Sequence, residues 1–541
     1  MFKKSKCAFA AKLGVTMLLS MTSISLFPNL VKDAGIVYAS NVVKSSNINK
    51  FLTITTDDHN RICSVYLNVP KRYDQIDKNA LQNLPQDIKN NLKTVHLNGI
   101  EEVPDGLFSN LPTLESVAIG DKCTKIGESA FFNCQNLNKV ELGKNCAVIG
   151  KLAFSNCKNL NKIKLGENCA VIEDSAFAGC SALRFVKFPE NLKSVGDRSF
   201  FGTDIRWLKL AKCNKLESLG PFCFSACPKL YKVDLPENGN LQTIGGYCFS
   251  RCPIEKIAIP KSATFLGGHC FCSCAELVDV AFAADSQLDC LRMETFSNCK
   301  KLKNVNIPGS VCKISINCFK NCIELESLFL PEKVSEMGEN CFEGDLKLTK
   351  VNLPQNINPD NIGAGLFKGC SSLENIELPK SWKALPREIF MDCKNLKRID
   401  LGEIQDLKYG CFYGSGISEI VIPGSVNNIG SDCFKYCNRL KRVDLSSFNP
   451  EELGQRTDAL FSGCERLEEV VLPENLKVLP KNMFSNSGIK KIVIPSSVEQ
   501  IGNNYFQDLK KLVQVDLSSF NPEKLGQRTD ALFSGCERLE E

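Results

Sequence analysis

The sequence predicts an α/β repeat solenoid of about nineteen coils, with a parallel β-sheet on one face and short helical or irregular segments on the other. Three observations predict it. A phenylalanine recurs every 22 to 27 residues, at Phe108, Phe131, Phe154, Phe177, Phe200, Phe224, Phe249, Phe271, Phe296, Phe319, Phe342, Phe367, Phe390, Phe412, Phe434, Phe461, Phe484, Phe506 and Phe533. Each is embedded in one pattern, as in Ile149-Gly150-Lys151-Leu152-Ala153-Phe154-Ser155-Asn156-Cys157, then Leu160 and Ile163-Lys164-Leu165. Finally, 541 residues exceed what one ordinary core organises, while 43% apolar and 23% charged residues suit a folded chain.

The first 39 residues are expected to be an export signal. Lys3, Lys4, Lys6 and Lys12 form a basic leader, Leu13 to Leu30 is mostly apolar, and Val37-Tyr38-Ala39 offers the small or apolar residues a signal peptidase reads, with cleavage after Ala39. A retained anchor fits less well, because Thr16, Ser20, Thr22, Ser23 and Ser25 thin the apolar run. No later stretch reaches the roughly 18 apolar residues a membrane span needs, so no integral membrane segment is expected after cleavage. Residues 40–90 match the repeat poorly; they are assigned as an N-terminal capping region, with Asp74 to Asn91 polar and helix-compatible. The solenoid is assigned to 91–541.

Within one coil, Val233-Asp234-Leu235-Pro236 or Ile257-Ala258-Ile259-Pro260 alternates inward and outward residues like a short strand, and the proline ends it. The following Ile-Gly step, as at Ile126-Gly127 or Ile429-Gly430, is expected to turn the chain into a short helical segment whose Phe shares an inward face with the residue three further on. One coil closes no core; stacked coils bury these faces against each other and pair their strands in parallel. At a strand spacing of about 4.8 Å, nineteen coils give an arc of roughly 90 Å, suited to extended binding.

The motif Ala130-Phe131-Phe132-Asn133-Cys134-x-x-Leu137-x-x-Val140-x-Leu142 resembles the BspA-like class of leucine-rich repeats, over residues 91 to 541. The resemblance implies a cell-surface or secreted protein that binds host cells, extracellular-matrix proteins or other microbes. It carries over no catalytic residue and no cofactor. Residues 443–469 and 515–541 differ only at Glu452 against Lys524, which points to a recent duplication. The sequence stops at Glu540-Glu541 inside a coil whose earlier copy continues into Val470-Val471-Leu472-Pro473, so the natural protein is expected to be longer.

The 29 cysteines suggest a disulfide framework by number and argue against one by position. Thirteen lie three residues after the repeat Phe and seven just before it, at slots where other coils hold Thr203, Ser415, Ser487, Ala130 or Ala153. They are expected to be structural thiols in small buried slots. Stacked thiols stand near the separation a disulfide tolerates, and thiol labelling before and after reduction distinguishes the two states. Cys270-Phe271-Cys272-Ser273-Cys274 suggests a metal, but two of its thiols are ordinary repeat cysteines and no tetrahedral set is completed at the usual spacing; no metal ligand is assigned.

Catalytic patterns are missing. His59, His96 and His269 sit in no His-Glu-x-x-His, and there is no Gly-x-Ser-x-Gly elbow or Walker loop. Gly363-Ala364-Gly365 occupies an ordinary Ile-Gly turn. No enzyme and no cofactor are expected. A net charge of +5 without a long basic run gives no footprint for nucleic acid.

Outward strand positions are mostly mixed charges, such as Lys232 with Asp234, Arg398 with Asp400 and Arg442 with Asp444, expected to form a self-compensated face. Three successive coils differ: Lys162 and Lys164, Phe185 and Lys187, Trp207 and Lys209 fall side by side. Two aromatics amid four lysines make a candidate ligand-binding patch for an extracellular protein or an anionic glycan, against the plainer reading that the rings cover neighbouring coils. Other readings are a spacer that projects a further domain and an enzyme whose catalytic domain lies beyond Glu541. The sequence leaves the oligomeric state open.

Overall fold

The computed structural model describes residues 85–448, 459–479, 482–501, 505–518 and 533–540, with the backbone of strands Ile36–Tyr38, Leu52–Thr56 and Ile62–Val69. The expected leader falls outside the described residues apart from the backbone of Ile36–Tyr38, and so does the cleavage point after Ala39. The chain divides into two compact units after Leu230.

In the first unit, Ile36–Tyr38, Leu52–Thr56 and Ile62–Val69 pair antiparallel in sequence. Ile62–Val69 then pairs parallel with Leu92–Leu97, the first strand of the regular stack. Among the described residues of 40–90 there are thus two strands, Leu52–Thr56 and Ile62–Val69, and one short helix at Gln86–Asn90. From Leu92–Leu97 the ladder continues in parallel through Ser116–Ile119, Lys139–Glu141, Lys162–Lys164 and Phe185–Lys187. Alternation is clear in Lys162–Lys164, where Ile163 is buried between exposed Lys162 and Lys164.

A second parallel ladder, unforeseen in the sequence, runs along the next edge of the coil. Two-residue strands at Glu102–Val103, Lys125–Ile126, Val148–Ile149, Val171–Ile172, Ser194–Val195 and Ser218–Leu219 pair one to the next. Where a glycine follows, as at Gly150, the coils approach closely: a Cβ there would stand 2.6 Å from the Ile126 carbonyl oxygen of the preceding coil.

After that glycine the irregular alternative holds and the helical one does not. Around Phe154, Leu152 and Asn156 adopt φ of 57° and 61°, and around Phe271, His269 and Ser273 adopt 58° and 62°. Two left-handed residues bracket each ladder Phe from Phe108 to Phe484 and interrupt any right-handed helix. The backbone bonds across coils instead: the amides of Leu152, Phe154 and Asn156 donate to the carbonyls of Asp174, Ala176 and Ala178 at 2.9, 2.7 and 2.8 Å.

The same coil builds the second unit, with a more interrupted strand ladder. Lys256–Ile259, Asp279–Phe282 and Asn304–Val305 pair in order, then Ser327–Phe329 with Lys350–Asn352, then Glu419–Val421, Arg442–Asp444 and Glu469–Val471, then Lys491–Val493 with Gln514–Asp516. Coil length alone does not set these interruptions. Fresh ladders start at Trp207, Glu419 and Lys491, seven residues after Phe200, Phe412 and Phe484, but Lys256 also follows Phe249 by seven and stays paired with Lys232.

The core is a column of rings. Successive ladder phenylalanines stack at 5.1 to 5.4 Å from Phe108 to Phe224 in the first unit. From Phe249 to Phe484 in the second they stack at 5.3 to 6.0 Å. Each buried ring contributes about 1.5–3 kcal/mol by leaving water, and offset stacking adds to that.

Beside the rings runs a column of thiols. The Cys134, Cys157 and Cys180 thiols donate to the carbonyls of Phe108, Phe131 and Phe154, one coil back, at 3.0, 3.2 and 3.1 Å. Cys274, Cys299, Cys393 and Cys464 do the same in the second unit. Every described cysteine is a free thiol. A small apolar residue with one weak donor fills this slot. Burial pushes the Cys134 and Cys180 thiols up to about 12. Asp345 departs from the rule: it occupies a thiol slot fully buried, accepts the Cys322 amide at 2.7 Å through Oδ1, and leaves Oδ2 without a partner. Desolvation lifts its carboxyl well above the ordinary range.

Candidate functional site

All six residues of the sequence-derived patch are exposed on the first unit's strand face. The ladder sets Lys162 beside Phe185, Ile163 beside Val186 and Lys164 beside Lys187. Trp207 and Lys209 stand on the next coil in a different sheet, so the ladder brings together four of the six. Phe185 is 66% exposed and Trp207 38%. Part of the Trp207 ring is already covered, since the Lys209 ammonium lies 3.8 Å from its centroid, a cation–π contact within the patch. The other tryptophan, Trp382, is buried and donates its indole N–H to the Ile357 carbonyl at 3.0 Å.

The patch also differs in charge. Among the described residues Lys162, Lys164, Lys187 and Lys209 form no ion pair, although Glu141 stands in register with Lys164; Glu141 pairs with Lys139 at 2.9 Å. On the second unit's strand face some charges are matched, Lys232 with Asp234 at 3.9 Å and Arg442 with Asp444 at 3.6 Å and Glu469 at 3.4 Å, whereas exposed Lys256, Lys350 and Lys491 form no ion pair among the described residues and stand without the paired aromatics of the patch. The expected pairing of Arg398 with Asp400 is not seen among the described residues; Asp400 accepts the Gly402 amide at 3.0 Å instead.

Sequence reasoning passed over other exposed apolar groups on the strands. Phe329 is 71% exposed in the second unit, and Val493 lines a shallow groove of about 660 Å³ together with Val470, Glu468, Glu469 and Lys490. The outward third position of Ser327-Leu328-Phe329 would have flagged Phe329, but it stands alone in sequence, without the lysines that drew attention to Phe185.

The Cys270–Cys274 cluster resolves into two environments. Cys270 and Cys274 are buried in the thiol slots, whereas Cys272 is half-buried on the outer turn, facing His269 and Glu294. Linear spacing hid this set, because Glu294 arrives from the following coil.

Among the described residues no helix is long and apolar enough to cross a membrane. A family model described as "BspA type Leucine rich repeat region (6 copies)" matches residues 55–183, 101–214, 149–278, 208–322, 279–361, 360–457 and 450–541. No curated protein matches the chain significantly. Among solved structures, it is similar to a leucine-rich repeat protein from Bacteroides ovatus, at 22% identity over 64% of this chain and 97% of that one, with a TM-score of 0.41. It is also similar to a leucine rich cell surface protein from Faecalibacterium prausnitzii, at 21% identity over 74% and 93% of the two chains, with a TM-score of 0.37. A third is a leucine-rich repeat protein from Eubacterium ventriosum, at 14% identity over 92% and 95%, with a TM-score of 0.31.

Proposed function

The chain belongs to the BspA-type leucine-rich-repeat family, and from that premise we propose that it is a cell-surface or secreted, adhesin-like binding protein that performs no catalysis. Its ligand, an extracellular protein or an anionic glycan of a host cell or matrix, lies across the strand face of the first unit at Lys162, Lys164, Phe185, Lys187, Trp207 and Lys209. One observation carries the reading: here, exposed Phe185 and Trp207 stand among lysines that form no ion pair among the described residues. Rigid aromatics anchor interfaces at low entropic cost, and uncompensated lysines attract sulfate or carboxylate groups and speed encounter. Export by the 1–39 leader belongs to the same proposal.

The test is binding of the purified chain to a panel of matrix proteins, sulfated glycans and intact cells, beside a variant carrying Lys164→Ala, Lys187→Ala and Trp207→Ala. The expected result is binding that weakens with salt and is lost in the variant. A folded wild type that binds no panel member would instead favour a spacer that projects another domain.

A further inference from the structure

His269, Cys272 and Glu294 bring one nitrogen, one sulfur and one oxygen to a single point on the outer turn of the second unit. His269 Nδ1 lies 3.2 Å from Glu294 Oε2, Cys272 Sγ lies 3.9 Å from the same oxygen, and all three ligand atoms fall within 4.8 Å of one another. In a tetrahedral zinc site, metal–ligand lengths of about 2.0–2.3 Å place nitrogen and oxygen about 3.4 Å apart and sulfur and oxygen about 3.6 Å apart. The observed separations bracket these values, so the set needs shifts of only a few tenths of an ångström on its oxygen side.

The scaffold makes this juxtaposition reproducible. His269 and Glu294 hold the same place in successive coils, two residues before Phe271 and Phe296, and Cys272 directly follows Phe271. Both turns are pinned by backbone bonds across the coils, His269 N to Met293 O at 2.8 Å and Ser273 N to Ser297 O at 2.8 Å. At the places equivalent to Cys272 and Glu294, another pair of coils carries Lys368 and Glu388, joined at 3.4 Å. The fold therefore delivers these two side chains to each other in more than one coil; in the Phe271 coil they are metal-ligating types, with a histidine beside them.

Surrounding groups hold the ligands. Tyr247 stacks on the His269 ring at 4.2 Å and 6°, fixing its plane. Asn317 Nδ2 donates to Glu294 Oε1 at 3.4 Å, which leaves Oε2 for the shared point. Such outer contacts orient ligands in metal sites. Calcium and magnesium require oxygen donors in greater number, so the nitrogen–sulfur–oxygen set selects a late first-row divalent cation.

We propose that His269, Cys272 and Glu294 form a zinc site that staples the Phe271 and Phe296 coils together, with the fourth position open to water. Binding displaces the Cys272 thiol proton to solvent and forms one metal–sulfur, one metal–nitrogen and one metal–oxygen bond.

The probe is Co²⁺, titrated into the full chain after chelation and under reducing conditions, with Zn²⁺ as competitor. The expected result is one equivalent bound, a sulfur-to-cobalt charge-transfer band, and its loss on adding Zn²⁺. Cys272→Ser removes the band without loss of fold, because serine already stands at the equivalent positions Ser155, Ser225, Ser250 and Ser297. Asn317→Ala weakens binding about tenfold. Zn²⁺ raises the thermal midpoint of the wild type and leaves that of Cys272→Ser unchanged. A folded wild type with no thiolate band, or a band of equal affinity in Cys272→Ser, overturns the proposal.

Discussion

Between residues 154 and 164 the chain crosses from the most uniform part of the molecule to the most varied. Phe154 stacks on Phe131 and Phe177, and Cys157 donates to the carbonyl of Phe131, as their counterparts do in neighbouring coils. Lys162 and Lys164, a few residues on, follow Lys139 and Glu141 and precede Phe185 and Lys187. The inner column is constrained twice over, since every ring must fit the coils before and after it. Outward strand positions are constrained only to be tolerable in water, so their chemistry is free to encode a ligand. The scaffold's regularity makes a local departure, such as two exposed aromatics set among lysines, legible as specialisation.

That contrast is breakable by mutation. Phe154→Ala leaves a cavity within the column and is expected to cost about 3–5 kcal/mol in urea unfolding, whereas Phe185→Ala stays within about 0.5 kcal/mol. Comparable losses at the two sites would erase the distinction. Asp345→Cys restores the column's usual thiol and is expected to stabilise by about 2 kcal/mol at neutral pH. Because burial raises the Asp345 carboxyl above its unfolded value of 3.8, its neutral form suits the folded state, and wild-type stability declines as pH rises from about 4 toward neutrality. The variant should lack that decline in thermal melts taken across this range.

The thiols respond at the other end of the scale. Cys180 titrates near 9.0 when unfolded and about 12 when folded, so its contribution is complete below pH 9 and lost as pH rises toward 12. Cys180→Ala should therefore make the alkaline slope of stability shallower by one proton, about 1.4 kcal/mol per pH unit. The smallest effect is expected at the compensated strand face: Arg442→Ala, which breaks exposed pairs with Asp444 and Glu469, should change unfolding free energy by no more than about 0.5 kcal/mol.

Much of this was readable in the sequence, and the omissions have physical causes. The 22-to-27-residue Phe period marked the column because only one large side chain per coil must recur, and the three-residue offset of the cysteines marked the slot beside it. The second ladder was silent because pairs such as Val148-Ile149 are too short to show alternation. The helical expectation failed although Asn133, Asn156 and Gly179, each two residues after the ladder Phe, are the types that tolerate a positive φ. Of the candidate patch, outward placement followed from strand parity, but the break before Trp207 is a matter of pairing between coils that no local pattern carries. Proximity of His269 and Cys272 to Glu294 needs the offset between coils, which local motifs do not carry.

The ring column also fixes how such a molecule can change size. A whole coil inserted or removed inside a unit leaves each ring with a neighbour above and below, and each thiol with a carbonyl one coil back. The strand ladder can restart, as at Trp207, while the ring column runs on from Phe200 to Phe224. Length is therefore adjustable in whole coils, and the near-identity of residues 443–469 and 515–541 points to a duplication of three coils. Reach can evolve by counting coils, independently of what the exposed strands recognise.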